Sequence, residues 1–548
     1  MRPSDLSLYW STLRHLRAIQ VAARIRYRLS FPAINEAEAV PRRPVGGGWR
    51  PPLERPQSFF PPADFRFLNA RETIPDQGGW SNASPDKLWV YNLHYFDDLS
   101  ASCGPGHVEK QAALMLRWVA ENPPRQGVGW EPYPVSLRIV NWIKWTLAGN
   151  TLPGDCELSL AVQARWLRRR LEWHLLGNHL LVNAKALVYA GLFFEGPEAD
   201  EWLAEGLRVI ASQLEEQVLP DGGHFELSPM YHALVLEDVL DLLNAAGHWV
   251  GAIPVATCEH WRNTAVRMLE WLAVMSHPDG EIAFFNDAAL GIAGHLRTLR
   301  DYATRLDLDA SSGTRPVRGR LLPDSGYARL AVGPAVLLAD VGRVGPDYQP
   351  GHAHADTLSF ELSLFGERIV VNSGTSCYGV GPQRQRERGT GAHSTVQIGD
   401  ADSSEVWSGF RVARRARPLD RVVSREGETE ILECAHDGYR RLRGRPIHRR
   451  RWRLRPDGLD VTDRIDPCPL SRTARYFLHP AIRWRRESSR VVRLGHEAWG
   501  REVQVAFGED CTMEIEVAEW HPEFGISVPS ACIVARFGGE QLDTRFDW

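Results

Sequence analysis

Three short stretches of the 548-residue chain concentrate side chains able to hold an anion, move a proton or ligate a metal. In GNHLLVNAKAL, Asn178 and His179 follow Gly177, which ends one apolar run and opens the next. Asn178 can cap a helix there, or turn its amide donors to a ligand. His179 can be a satisfied buried imidazole or a base near neutral pH. In PDGGHFELSPMYHALVLEDVL, PDGG is a turn, Glu226 lies in the following loop and Pro229 suits an early helical position. Tyr231 and His232 then stand near a helix start, where the dipole makes a phenol slightly more acidic. One tyrosine at a helix start is ordinary packing. Gly-Gly, His, Glu, Tyr and His in so short a run is denser than packing requires. In GHAHADTLSFEL, His352 and His354 alternate as on a strand and so share one face. With His393 of AHSTVQIG, they have the residue types of a zinc group, whose imidazole nitrogens sit about 2.0–2.1 Å from the ion. Neighbouring imidazoles also serve simply as hydrogen-bond donors.

These side chains need elements to hold them. From about residue 87 to 310, apolar residues recur at i, i+3 and i+4 in segments such as VEKQAALMLRWVAEN, VSLRIVNWIKWTLAGN and EWLAEGLRVIASQLEEQVL. Gly, Pro or polar breaks separate them. Repeated helix pairs predict an α/α toroid, and the same pattern is open to a bundle or a solenoid. After about residue 320 the period shortens. Runs such as YARLAVGPAVLLADVG and LSFELSLFGERIVVNSG alternate or are β-branched between turns, which predicts a large antiparallel β-sandwich. The expected class is α+β multidomain. Residues 1–86 form a helix and an extended Pro/Gly/Arg-rich connector, residues 87–315 the toroid and residues 316–548 the sandwich. A cleft between a helical half and a β half is a common ligand site.

Composition narrows the function. With 43% hydrophobic and 24% charged residues the chain is globular, and its length exceeds one ordinary core. A net charge of -4 argues against a nucleic-acid partner. Trp occurs 20 times; its faces stack on sugar rings and also fill helix cores. The eight cysteines are scattered without a CxxC pair, so buried free thiols are expected. No apolar run is long enough to span a membrane. The Arg-rich N-terminus lacks a continuous apolar leader region, which points to a cytoplasmic protein. Its Leu8, Leu13, Leu16, Ile19, Val21 and Ile25 recur at helical spacing. Such a basic amphipathic helix suits a membrane surface or a partner, or docks on its own protein. Oligomeric state is not set by the sequence.

Taken in order, NLHYFDDL, EPYPVSLRIVNW, GNHLLVNAKAL, DGGHFELSPMYH, FNDA, GHAHADTLSFEL, NSGTSCY and AHSTV resemble the heparinase II/III-like superfamily of polysaccharide lyases. The resemblance spans about residues 87 to 400 and continues more weakly beyond. It implies a toroid followed by a β-sandwich, and cleavage of uronate-containing glycans such as heparan sulfate or alginate by β-elimination. By the resemblance, Asn178 neutralises the substrate carboxylate, His179 serves as a base in some members, Tyr231 is catalytic and His352 faces the uronate. His354 and His393 match two ligands of a structural zinc. The third position, an Asp in well-studied relatives, holds Asn372 here, and a neutral amide is the poorer ligand.

The chemistry explains the set. The C5 proton lies beside a carboxylate and is very weakly acidic. Donors must stabilise the aci-carboxylate that develops as the proton leaves, a task suited to Asn178 and His352. A base must take the proton and an acid must protonate the departing O4. Tyr231 can donate to O4 and, as a phenolate in syn geometry, also be the base. His179 competes for that role, with a reference pKa of about 6.5 against about 10 for Tyr. Glu131, Arg138, Glu226, Tyr378 and Arg388 are expected to bind substrate, the arginine by pairing with a carboxylate or sulfate. The expected partner is an anionic polysaccharide and the expected activity a lyase. Two alternatives share parts of the site: a uronate C5-epimerase, and a non-catalytic glycan-binding protein of exopolysaccharide biosynthesis.

Overall fold

The computed structural model describes residues 3–44, 46–75, 78–81, 84, 86–102, 106–309 and 319–548. The expected boundary at 315/316 and Cys103 lie outside the described residues. Eleven α-helices precede Arg320 among the described residues: α1 (Pro3–Leu13), α2 (Ala18–Leu29), α3 (Lys87–Leu93), α4 (His107–Glu121), α5 (Pro132–Leu147), α6 (Gly154–Arg169), α7 (Gly177–Phe193), α8 (Pro197–Gln217), α9 (Pro229–His248), α10 (Val255–Val274) and α11 (Leu296–Arg305). The single N-terminal helix expected from the sequence is two. Arg17 is extended and caps α2, with its backbone N–H donating to the Gln20 side chain at 3.0 Å. The connector also folds further than its Pro/Gly content suggested. Phe59–Phe60, Asp64–Phe67 and Ala70–Thr73 form a small antiparallel sheet.

Helix α7 is the centre of the helical half and packs on α5, α6, α8 and α9. Every residue of it is buried except His179. A helix apolar all round belongs inside a core. Gly191 permits the tight fit with α8, since a Cβ there would lie 2.5 Å from the Leu203 backbone nitrogen. Trp89, Trp118, Trp142 and Trp202 are fully buried in the same core. The tryptophan count therefore reflects helix packing in large part.

Past Arg320 the chain forms two large sheets with antiparallel pairing. In one, the order is Pro418–Glu426, Thr429–His436, His448–Arg455, Gly458–Ile465, Gln541–Asp547, Val503–Phe507, Val491–Gly495 and Arg483–Arg486. In the other it is Cys511–Trp520, Val528–Phe537, Arg472–Leu478, Glu367–Val371, Phe360–Leu364, Ala335–Asp340, Tyr327–Val332 and Arg320–Leu322, with Val396–Ile398 also paired to Arg472–Leu478. Both contribute to one core: Phe360, Leu362 and Tyr476 from the second sheet meet Trp452, Val461 and Phe546 from the first. The alternation of buried and outward residues in His448–Arg455 is the period-2 pattern that the sequence carries.

The halves are joined by apolar and buried polar contacts. Trp271 and Val274 of α10 cluster with Tyr327 and Leu338 of the sheet. His277 Nε2 lies 2.8 Å from Glu361, both wholly buried. The seven described cysteines are free thiols; three of them, Cys156, Cys434 and Cys532, are buried.

Candidate active site

Three turns with positive φ deliver the polar side chains. Leu176 (φ 64°) precedes Gly177 and Asn178, Leu227 (φ 62°) precedes the α9 cap Ser228, and Asn286 (φ 57°) precedes Asp287. Non-glycine residues rarely adopt this backbone, and such strain persists only where the surroundings impose it. Gly177 itself has φ 57°, and a Cβ on it would lie 2.7 Å from Glu226 Oε1. Asn178 is inside the first turn of α7, not its cap as one reading of the sequence had it, because Leu176 occupies that place. Ser228 accepts the Tyr231 N–H at 3.2 Å, so capping of α9 fixes where the phenol begins.

Asn178, His179, Tyr231, His352 and Tyr378 all line one cleft of about 1850 Å³ between the helical half and the strands. The Tyr231 ring stacks on His352 with centroids 3.8 Å apart. Its hydroxyl is 2.9 Å from that of Tyr378. Burial, followed by the neighbouring Tyr378 and Tyr133, pushes the Tyr231 phenol well above its ordinary 10, so it stays protonated at neutral pH. His179 Nδ1 lies 3.2 Å from Glu172, and its ring packs 4.4 Å from that of Tyr133. Burial alone would lower the His179 pKa. The charge and hydrogen bond of Glu172 outweigh it and raise the value above 6.5. Asn178 Oδ1 is buried and finds no hydrogen-bond partner among the described residues.

Asp287 is the hub of the arrangement. It accepts from His352 Nδ1 at 2.9 Å and His354 Nε2 at 2.8 Å, and from both terminal nitrogens of Arg384, one at 2.7 Å. Burial acts to raise its pKa, but the Arg384 charge and these hydrogen bonds hold it well below 3.8. Asp287 sits in the FNDA motif, yet nothing in the spacing marked it as the residue organising both histidines. Glu172 carried no sequence signal at all. His352 and His354 do not lie on a strand as expected; they are in the loop before Phe360–Leu364, and Asp287 rather than a pleat gives them a common side.

Four expected substrate ligands face elsewhere. Arg138 is fully buried, stacks on Trp118 at 3.8 Å and donates to Gln163, His94 and Gly129, because α5 turns it into the helical core. Arg388 is equally buried, its guanidinium donating to the Ala353, Ser408 and Arg411 carbonyls. Glu131 pairs with Lys87 at 3.0 Å and accepts from the Tyr91 hydroxyl, outside the cleft lining. Glu226 lies behind the wall: one oxygen accepts the Asn178 N–H at 3.2 Å and the other is 3.4 Å from His352 Nε2. It holds the Asn178 N–H and approaches His352 without lining the cleft itself. Tyr378 alone of the five lines the cleft.

The imidazoles of His354 and His393 meet at 3.1 Å, Nδ1 to Nε2. His393 Nδ1 is 2.8 Å from the Gly389 carbonyl, and His354 Nε2 faces the Asp287 carboxylate. Both partners require an N–H, so neutral rings turn lone pairs toward each other. Burial lowers both pKa values, that of His354 to about 4, so a proton is a poor bridge at neutral pH. Asn372 does not join the pair. Its amide donates to the Phe284 carbonyl at 2.9 Å, and its oxygen accepts the Ser394 N–H at 3.2 Å. Among the described residues no three His, Cys, Asp or Glu converge as a ligand group.

Comparison with known proteins agrees with this architecture. Residues 111–307 match the family described as Heparinase II/III N-terminus, and residues 314–548 match Heparinase II/III-like, C-terminal. A heparin-sulfate lyase of Bacteroides stercoris is 28% identical over 287 residues, covering 49% of this chain and 41% of that protein. The chain thus spans less than half the length of that relative. FtsZ-localized protein C of Caulobacter vibrioides is 26% identical over 436 residues, 74% of this chain and 72% of the relative. Among solved structures, heparinase III superposes with a TM-score of 0.67 at 17% identity, over 84% of this chain and 76% of the other. A heparan sulfate lyase of Pedobacter heparinus gives 0.60 at 17%, over 97% and 87%. With both of its halves matched, the chain belongs to the heparinase II/III-like family.

Proposed function

We propose that the protein is a polysaccharide lyase that cleaves a uronate-containing glycan by β-elimination. The observation that carries this reading is the convergence of Asn178, His179, Tyr231, His352 and Tyr378 on one cleft. Its support includes the relatives that are heparin-sulfate lyases. In this reading the Asn178 amide and His352 oppose the uronate carboxylate and stabilise the charge that grows there as C5 loses its proton. His179, oriented by Glu172, takes that proton. The electrons of the C5–H bond form the C4–C5 double bond as the C4–O4 bond breaks, and O4 takes the proton of Tyr231. The high phenol pKa favours Tyr231 as acid over Tyr231 as base. His354 and His393 would hold a structural zinc, which would replace the clash of two lone pairs and take no part in the reaction. We read the helices as an α/α toroid and the sheets as a sandwich, in units 1–86, 87–315 and 316–548; the shared core of the two sheets supports the latter.

Charge narrows the substrate. The cleft lining carries six Arg and Lys against seven Asp and Glu. Four of those cations are already paired: Arg55 with Glu237, Lys87 with Glu131, Lys144 with Asp241 and Lys185 with Asp238 and Asp241. Binding many sulfates would require those pairs to open, so the substrate is a uronate polymer with few sulfates or none. A second reading, a non-catalytic glycan-binding protein, draws on the Caulobacter relative, whose name gives a location and not a reaction.

A panel of sulfated and unsulfated uronate polysaccharides, followed by the ultraviolet absorbance of the unsaturated product, tests the proposal. Turnover on an unsulfated polymer is expected, with Tyr231→Phe slower by about 10²–10⁴-fold and His352→Ala also impaired. Solvent-deuterium uptake into an intact polymer would favour the epimerase. Glycan binding unchanged in Tyr231→Phe, with no turnover on any polymer, would favour the second reading.

A further inference from the structure

Helices α1 and α2 dock on the body through their polar sides. Tyr9 meets Trp407 edge to face at 4.9 Å, and Thr12 accepts from the Trp407 indole at 3.1 Å. Gln20 donates to the Tyr348 carbonyl at 3.3 Å, and Arg17 lies 3.7 Å over the Tyr348 ring while pairing with Glu216. Tyr27 packs on His174 with ring centroids 4.4 Å apart. The apolar sides point away. Leu6, Trp10 and Leu13 are 59%, 70% and 54% exposed; Val21, Ile25 and Leu29 are 47%, 55% and 82% exposed. Their spacing places each trio on one face of its helix. This inverts the usual order, in which an amphipathic helix turns its apolar stripe to the core. Leu16, Ile19 and Phe31 of the same segment are exposed too, and the remaining exposed large hydrophobics of the described residues are spread over the rest of the chain.

The charge around the stripe indicates what covers it. At 100° per residue, Arg24 and Arg28 lie on one flank of the Val21–Ile25–Leu29 stripe and Arg26 on the other. All three are exposed, as is Arg14 between the helices. Asp5 is the one acidic residue among the first 31. An apolar stripe edged with arginine on both sides complements a surface that is apolar within and anionic at its boundary. We propose that α1 and α2 seat the protein on an anionic lipid surface, with the apolar side chains in the acyl boundary and the arginines against headgroup phosphates. Among the described residues no helix is long and apolar enough to cross a membrane, so this is attachment in the plane of the interface. The proposal does not depend on the lyase reading.

Co-sedimentation of the full chain with vesicles tests it. The protein should pellet with an equal mixture of phosphatidylcholine and phosphatidylglycerol and stay in solution with phosphatidylcholine alone, and added salt should weaken binding. Val21→Glu/Ile25→Glu should lower the bound fraction at limiting lipid by ~10-fold or more, with circular dichroism and thermal unfolding unchanged. Arg26→Gln/Arg28→Gln, which leaves the apolar stripe intact, should weaken binding by about 10-fold or more. Three results would overturn the proposal: no pelleting with the mixed vesicles, equal binding to both vesicle types, or equal binding by the variants. A concentration-dependent dimer without vesicle binding, lost in Val21→Glu/Ile25→Glu, would assign the face to a second copy of the chain instead.

Discussion

His179 shows how one partner sets the task of a side chain. A half-buried imidazole would ordinarily titrate low, but Glu172 at 3.2 Å favours the cation and moves the pKa above 6.5. As the proposed base it works only when neutral. The kcat/KM should therefore rise with pH through a value above 6.5. Glu172→Gln removes the charge that favours the imidazolium, so this limb should move to lower pH; a limb that stays in place would exclude His179 as its source. The same contrast explains Arg138 and Arg388. Guanidinium groups suggest anion binding in a sequence, but these two are wholly buried and donate chiefly to carbonyls. Their type was legible and their direction was not, because direction follows from which face of a helix meets the core.

At the scale of elements, the start of α7 is the most constrained piece of the site. Leu176 and Gly177 both have positive φ, and Gly177 leaves no room for a Cβ beside Glu226. Gly177→Ala must adopt a backbone that alanine disfavours and push the Glu226 carboxylate away from the Asn178 N–H. We expect a loss of about 1–2 kcal/mol in urea unfolding together with a fall in kcat/KM. A stable variant of unchanged activity would show that this turn does not position Asn178. The start of α9 was readable from Pro229, whereas its cap Ser228 had not been singled out. The N-terminal break and the connector sheet were not readable, since neither depends on a strong local signal. The His352–His354 loop was misread as a strand for a similar reason. Alternation alone fits a strand, and only the contact with Asp287 explains it otherwise.

Across the whole molecule, buried ion pairs tie layers together. Arg450 forks onto Asp463 at 2.7 and 2.9 Å and also donates to the Leu358 and Ser394 carbonyls, which belong to segments flanking the other sheet. Burial would raise the Asp463 pKa, but Arg450 and His448 bring it down from 3.8 to about 2. A depressed carboxylate stabilises the fold above its unfolded value and loses that contribution as pH falls. The effect is about 2 kcal/mol, present above pH 3.8 and lost toward pH 2. Urea titrations should show this slope in the native protein and a flatter one in Asp463→Asn, whose stability at neutral pH should also be lower; parallel slopes would contradict the assignment. The sequence by itself determined the change from helical to strand periodicity, many of the turns between elements and the polar stretches from which the cleft is lined. It could do so because periodicity and turn chemistry are local. Only the tertiary structure decided that Asp287 gathers His352, His354 and Arg384, that Glu172 governs His179, and that the apolar sides of α1 and α2 face outward. Each of these depends on which distant segments share a surface, and that is fixed by packing over the whole chain.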